Sequence, residues 1–108
     1  MLDIQLFREE VDKIRADHDR RSLPHDNIDK VIELDTQWKL FLLETNELRR
    51  QKNEAARGIG AAKKSGDEAE AQRILSEVAD LGAQISEMEK KTDALLTERD
   101  AVRLSIPN

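Results

Sequence analysis

The chain has 108 residues, no cysteine and a formal net charge of −5, about the length of one small domain. Hydrophobic and charged residues each make up 38% of it, and the aromatics are Phe7, Trp38 and Phe41 alone, a balance that suits helices sharing one buried stripe better than a globule with a thick core. Disulfides and thiolate metal sites are excluded, the longest apolar run, Leu40-Phe41-Leu42-Leu43, is far short of a membrane span, and the start Met1-Leu2-Asp3-Ile4 does not read as a signal peptide.

Along the chain, residues 3 to about 21 place Ile4, Leu6, Phe7, Val11 and Ile14 at amphipathic helical spacing, in one helix or in two pieces with acids at Glu9, Glu10 and Asp12 near the second start. Ser22-Leu23-Pro24-His25-Asp26 reads as a connector with Pro as the stop. Asp26 is placed as N-cap of a long helix, with Asp29 adding charge to its first turn. That helix runs to about Lys64, roughly 38 residues or about 57 Å. Ser65-Gly66-Asp67 follows as a turn, with Gly66 in the left-handed conformation and Asp67 with Glu70 at capping-box spacing for a return helix ending near Arg103. Gly58, Gly60 and Gly82 lie inside the helices and each weakens its helix by about 1 kcal/mol relative to Ala.

The two long helices share a mirrored pattern. Val31, Leu34, Trp38, Phe41, Thr45, Leu48, Ala55, Ile59 and Ala62 recur at alternating three and four spacing, with Lys52 intruding. Ala71, Ile74, Val78, Leu81, Ile85, Met88, Thr92, Leu95 and Val102 continue it, with Arg99 intruding. Each position and its mirror partner add to 133, as 31 with 102 and 59 with 74 do. A coiled-coil seam mirrored about Gly66 means that the chain folds back on itself. The predicted fold is therefore all-α: a long antiparallel two-helix coiled-coil hairpin with a small N-terminal helical base. The base takes residues 1–25, the first arm helix 26–65, the return helix 66–105 and a junction 106–108. Layers pair Trp38 with Leu95, Phe41 with Thr92, Leu48 with Ile85 and Ala55 with Val78. Lys52 opposite Leu81 and Arg99 opposite Leu34 are the awkward layers, where the long side chains are expected to snorkel outward or to fix register.

Charge is split along the hairpin. Six bases (Arg49, Arg50, Lys52, Arg57, Lys63, Lys64) stand against Glu54 alone between residues 49 and 64, a local net of +5. Seven acids stand against Arg73 between residues 67 and 89, a local net of −6. Arg50, Arg57 and Lys64 fall seven apart on the outward face, flanked by Arg49 and Lys63, so the stripe covers about 21 Å of helix. Such a row can bridge successive phosphates with marked salt sensitivity, although a solvated charged face is the ordinary condition of a coiled coil and on charge pattern alone the more frequent one. No aromatic residue interleaves with the stripe, which favours a duplex over stacked single-stranded bases. His18 and His25 read as incidental surface histidines without a third ligand to make a metal site, and no phosphate loop or nucleophile–base pair occurs. By itself this segment is expected to catalyse nothing.

With these residues laid out, the chain resembles the N-terminal arm of the seryl-tRNA synthetases from end to end. The start Met1-Leu2-Asp3-Ile4 with Leu6-Phe7-Arg8-Glu9 is similar to that family's opening, and Leu34-Asp35 followed by Trp38 to its early arm motif. Leu48-Arg49-Arg50-Gln51-Lys52-Asn53 with Arg57-Gly58-Ile59-Gly60 resembles the segment of arginine-asparagine, a basic residue and isoleucine-glycine. Leu104-Ser105-Ile106-Pro107-Asn108 resembles the junction into the catalytic domain. Glu10-Val11 stands where the family often has Asn-Pro, Lys52 where arginine is common, and Ala56 where serine is common.

The resemblance implies the tRNA-binding arm of a serine–tRNA ligase, a class II, homodimeric and cytoplasmic enzyme that esterifies serine to its tRNA. ATP and Mg2+ serve a catalytic domain outside this segment, and no cofactor is expected within it. The arm would hold the long variable arm of serine tRNA by backbone and shape and guide its acceptor end to the active site. Selenocysteine tRNA stays open as a second RNA, and no membrane is implied. Arg49, Arg50, Arg57, Lys63 and Lys64 become the expected phosphate contacts, with Arg73 and Lys90 as weaker ones. The alternative is a non-catalytic hairpin whose charge split serves a protein partner.

Overall fold

A computed structural model describes residues 2–107. The fold is all-α, a long antiparallel two-helix coiled-coil hairpin with two short helices before it: α1 (Ile4–Glu9), α2 (Val11–Arg20), α3 (Asp26–Lys64) and α4 (Glu68–Ser105). No helix among the described residues is long and apolar enough to cross a membrane. The chain divides into two compact units, Met1–Leu40 with Thr92–Asn108, and Phe41–Lys91. The long helices run through both.

In the termini-bearing unit, Asp3 caps α1 by accepting the Gln5 N–H on its side chain at 2.8 Å. The helix breaks at Glu10 (φ −130°, ψ 34°), which closes α1 and opens α2 without any proline. The two-piece alternative is therefore the observed one, with the break at Glu10-Val11. Breaking there lets both short helices turn apolar faces inward. Phe7, Ile14, Ile28, Val31 and Ile106 are buried together, with Val102 and Ile32 packed around them. Helix α2 ends on a left-handed residue, Ser22 (φ 57°), with the Leu23 N–H on the His18 carbonyl (2.8 Å) and the Ser22 N–H on that of Asp19 (3.2 Å), the paired bonds of a Schellman closure. Asp26 is already the first helical residue of α3, and the His25 carbonyl accepts the first intrahelical bond, from Asp29. The cap thus lies one residue before the expected one, and Asp26 serves the helix dipole instead.

Two polar groups of this unit depart from the sequence reading. His18 is buried, its Nδ1 3.1 Å from the Ile14 carbonyl and its ring edge-on to His25 at 6.3 Å; it is no surface histidine, because α2 packs that face inward. Arg99 does not snorkel. It is only 6% exposed and donates to Asp35 at 2.7 Å, while Arg8 clasps the same carboxylate with two bonds of 2.9 Å. Trp38 lies under both guanidinium groups, 5.2 Å from that of Arg99 and 6.0 Å from that of Arg8, within cation–π range. Burial pushes the Asp35 carboxyl up, but the hydrogen bonds from Arg8 and Arg99 outweigh it and hold it down at about 2.

In the turn-bearing unit, α3 and α4 are joined by the Ser65-Gly66-Asp67 turn. Gly66 takes φ 79°, the Asp67 N–H reaches the Ala62 carbonyl (3.0 Å) and the Gly66 N–H that of Lys63 (3.2 Å). Asp67 then caps α4 by accepting the Glu70 N–H at 3.0 Å. The mirrored layers close behind it: Ala62, Ala71 and Ile74 are buried together with Ala55, Ile59 and Val78 against them. Gly58 lets the helices approach there, since a Cβ on it would stand 3.1 Å from Ile74 Cδ1. Lys52 is half-buried and passes over Gly82, where a Cβ would lie 3.7 Å from its Nζ, so this intruding lysine does reach across the seam edge.

Candidate nucleic-acid interface

The whole basic segment from Arg49 to Lys64 belongs to the turn-bearing unit. Because the seam positions face α4, heptad geometry puts Arg50, Arg57 and Lys64 on one outward line, spaced about 10.5 Å apart. All three are exposed, as are Arg49 and Lys63 beside them. The stripe is nevertheless not uniform.

Arg49 reaches over to the return helix, donating to Glu89 at 2.7 Å and to Asn46 at 3.1 Å. Arg50 is held on both sides along its own helix, by the Glu47 carboxylate at 2.6 and 3.0 Å and by Glu54 at 2.7 Å. The hydrogen bond from Arg50 holds the Glu47 carboxyl down at about 2, and the bond to Glu47 pushes the Arg50 guanidinium up. On α4, Arg73 is paired with Glu70, with one bond of 3.0 Å from its Nε, and Lys90 lies 3.5 Å from Glu87. Surface pairs of this kind are weak and exchange readily.

Arg57, Lys63 and Lys64 make no ion pair among the described residues. The helical spacing explains it. The acid within a turn of Arg57 on α3 is Glu54, which Arg50 has engaged, while Lys63 and Lys64 have Ile59, Gly60 and Ala61 one turn behind them. Three adjacent cations therefore stand ready for an external anion. Acids predominate elsewhere in the unit: a surface groove beside Leu48, Ala83 and Met88 is lined by Glu44, Glu47 and Glu87 together with Lys91.

The model of the seryl-tRNA synthetase N-terminal domain matches residues 1–108, the full chain. The chain belongs to that family. Curated relatives named serine–tRNA ligase include those of Methanosphaera stadtmanae, 36% identical over all of this chain and 25% of the relative, and of Haloquadratum walsbyi, 33% identical over 99% of this chain and 23% of the relative. The seryl-tRNA synthetase of Pyrococcus horikoshii, solved in complex with ATP, is similar in structure with a TM-score of 0.57 at 33% identity, over 89% of this chain and 23% of that one. The chain thus spans about a quarter of the length of these relatives.

Within this seryl-tRNA synthetase N-terminal domain, Arg49, Arg50, Arg57, Lys63 and Lys64 come together on one side of α3, while Arg73 and Lys90 lie on α4 among acids. The division of the stripe into clasped and free cations goes beyond the sequence reading, although the signal is present in the Glu47, Arg50 and Glu54 spacing. Among the described residues no group of His, Asp and Glu side chains is arranged to hold a metal ion.

Proposed function

We propose that this chain is the tRNA-binding arm of a serine–tRNA ligase, which grips the long variable arm of serine tRNA through phosphate and shape and directs the acceptor end to the catalytic site. Serylation with ATP and Mg2+ takes place on a body outside this segment, in a cytoplasmic homodimer. The observation that carries the reading is the cluster of unpaired, exposed Arg57, Lys63 and Lys64 on a domain of this family. Phosphates meet these three first. Arg49 and Arg50 join by exchanging carboxylate partners, a small cost at an exposed pair, and Arg73 and Lys90 contribute least. The acids of α4, Glu77, Asp80 and Glu87, repel RNA from the other face and so orient it. Selenocysteine tRNA, if it carries a comparable arm, would be held by the same cations.

The test is binding of the full-length protein to serine tRNA and to the same tRNA without its variable arm, across a salt series. The intact tRNA should bind tighter, with log affinity falling as log salt rises. Arg50→Glu with Arg57→Glu should remove the preference while helicity stays unchanged. Equal affinity for both RNAs, or a preference that survives the double reversal, overturns the reading and favours a protein partner for the charge split.

A further inference from the structure

Gly60 sits in the interior of α3, where glycine destabilises a helix relative to alanine by its backbone freedom. Packing does not require it. Gly58, two residues earlier, faces Ile74, whereas a Cβ on Gly60 would meet nothing within 4 Å. Gly66 needs its left-handed φ; Gly60 lies within regular helix. What distinguishes the position is its surroundings. The residues three and four away in each direction, which border it on the helix surface, are Ala56, Arg57, Lys63 and Lys64, all exposed. The bare patch of helix backbone is therefore bordered by Arg57, Lys63 and Lys64, which make no ion pair among the described residues.

We propose that Gly60 is a specificity-determining residue, a seat in which one phosphodiester strand of a double-helical RNA stem lies against the α3 backbone between Arg57 and the Lys63–Lys64 pair. This rests on the tRNA-binding reading above. The missing side chain lets the strand come close enough for both flanking groups to reach it with their charged ends, so charge-assisted contacts form on either side of the seat. A side chain at Gly60 would hold the strand away from all three at once. The seat reads backbone shape, not base identity, as recognition of a duplex RNA requires.

The test uses full-length protein and serine tRNA, with Gly60→Ala, Gly60→Leu and Gly60→Gln compared by dissociation constant over a salt series and by hydrogen exchange of residues 57–64. Exchange should slow in all three, because each new residue is a better helix former than glycine. Affinity should fall with side-chain size, reaching on the order of tenfold for leucine and glutamine, the scale of one missing charge-assisted bond. The slope of log affinity against log salt should shrink by about 0.7 to 0.9 for each phosphate that the cations no longer reach. Unchanged affinity in Gly60→Leu and Gly60→Gln, with Arg57→Glu still weakening binding, overturns the seat and leaves the tRNA reading intact. An equal loss in all three variants also overturns it, since helix pliability and not bulk would then be the cause. Should Arg57→Glu and Lys64→Glu leave binding unchanged as well, the tRNA reading fails and the seat with it.

Discussion

The two units solve the same problem with different materials. Where the chain termini lie, α1, α2, α3 and the residue just past α4 gather large side chains, Phe7, Ile14, Ile28, Val31 and Ile106, and Asp35 is buried among Arg8, Lys39 and Arg99 beside Trp38. Toward the turn, two helical segments meet through Ala55, Ile59, Ala62, Ala71, Ile74 and Val78. A core of small residues gives less hydrophobic stabilisation, since that scales with the area removed from water, but it leaves both outer faces free. The large buried side chains are concentrated in one unit and the exposed basic stripe in the other.

The largest expected effect breaks the ionic cluster. Asp35→Ala removes the carboxylate that Arg8 and Arg99 share, but Arg99 keeps Asp100 at 2.9 Å and Arg8 is partly exposed, so the loss should be about 2 to 3 kcal/mol, the scale of charged hydrogen bonds rather than of a stranded buried charge. Urea unfolding followed by helicity should show it, and a loss below about 1 kcal/mol, the range of exposed pairs, would mean that water replaces the carboxylate there. The neutralisation Glu89→Gln in the turn-bearing unit, which frees only the half-exposed Arg49, should move the same transition very little.

The pH dependence sharpens this contrast. Asp35 is held at about 2 in the folded chain against an ordinary value of 3.8. A depressed folded value means that the contribution is present above the unfolded pKa and is lost as pH falls toward the folded one. Stability should therefore decline between about pH 5 and pH 2, and part of that decline should be absent in Asp35→Asn, which has no proton to take up. Parallel acid profiles for the two proteins would show that other carboxylates carry the whole effect.

The contrast also explains what the sequence makes legible. The mirrored spacing locates the turn and every seam position from Val31 to Val102, and each of those residues is buried or half-buried, because one repeated period dictates which face of a helix meets its partner. Arg99 turns inward instead of snorkelling for the same reason: periodicity marks a seam position but not the neighbour that satisfies it. Its partner Asp35 lies one residue past the seam position Leu34, and Arg8 comes from a helix that the seam does not include. His18 is buried by the same short helices. At the candidate interface, composition reveals the basic stripe, whereas the separation of clasped Arg50 from free Arg57 depends on which carboxylate each side chain takes.

The smallest expected effects compare the two helix ends that close by the same pair of backbone bonds. Gly66 takes the left-handed position in one and Ser22 in the other. An L side chain in that conformation costs about 1 to 2 kcal/mol, and a Cβ on Gly66 meets nothing within 4 Å, so Gly66→Ala should destabilise by that conformational cost less the freedom the unfolded chain loses, on the order of 0.5 to 1 kcal/mol net. Ser22→Gly relieves the same strain but gives the unfolded chain more freedom, about 0.5 to 1 kcal/mol against it. The net should be a small stabilisation, on the order of 0.5 kcal/mol, seen as a higher urea midpoint. The two substitutions should thus shift the midpoint in opposite directions and by similar amounts. A lower midpoint for Ser22→Gly would show that the Ser22 side chain contributes more to the connector than its backbone strain takes away.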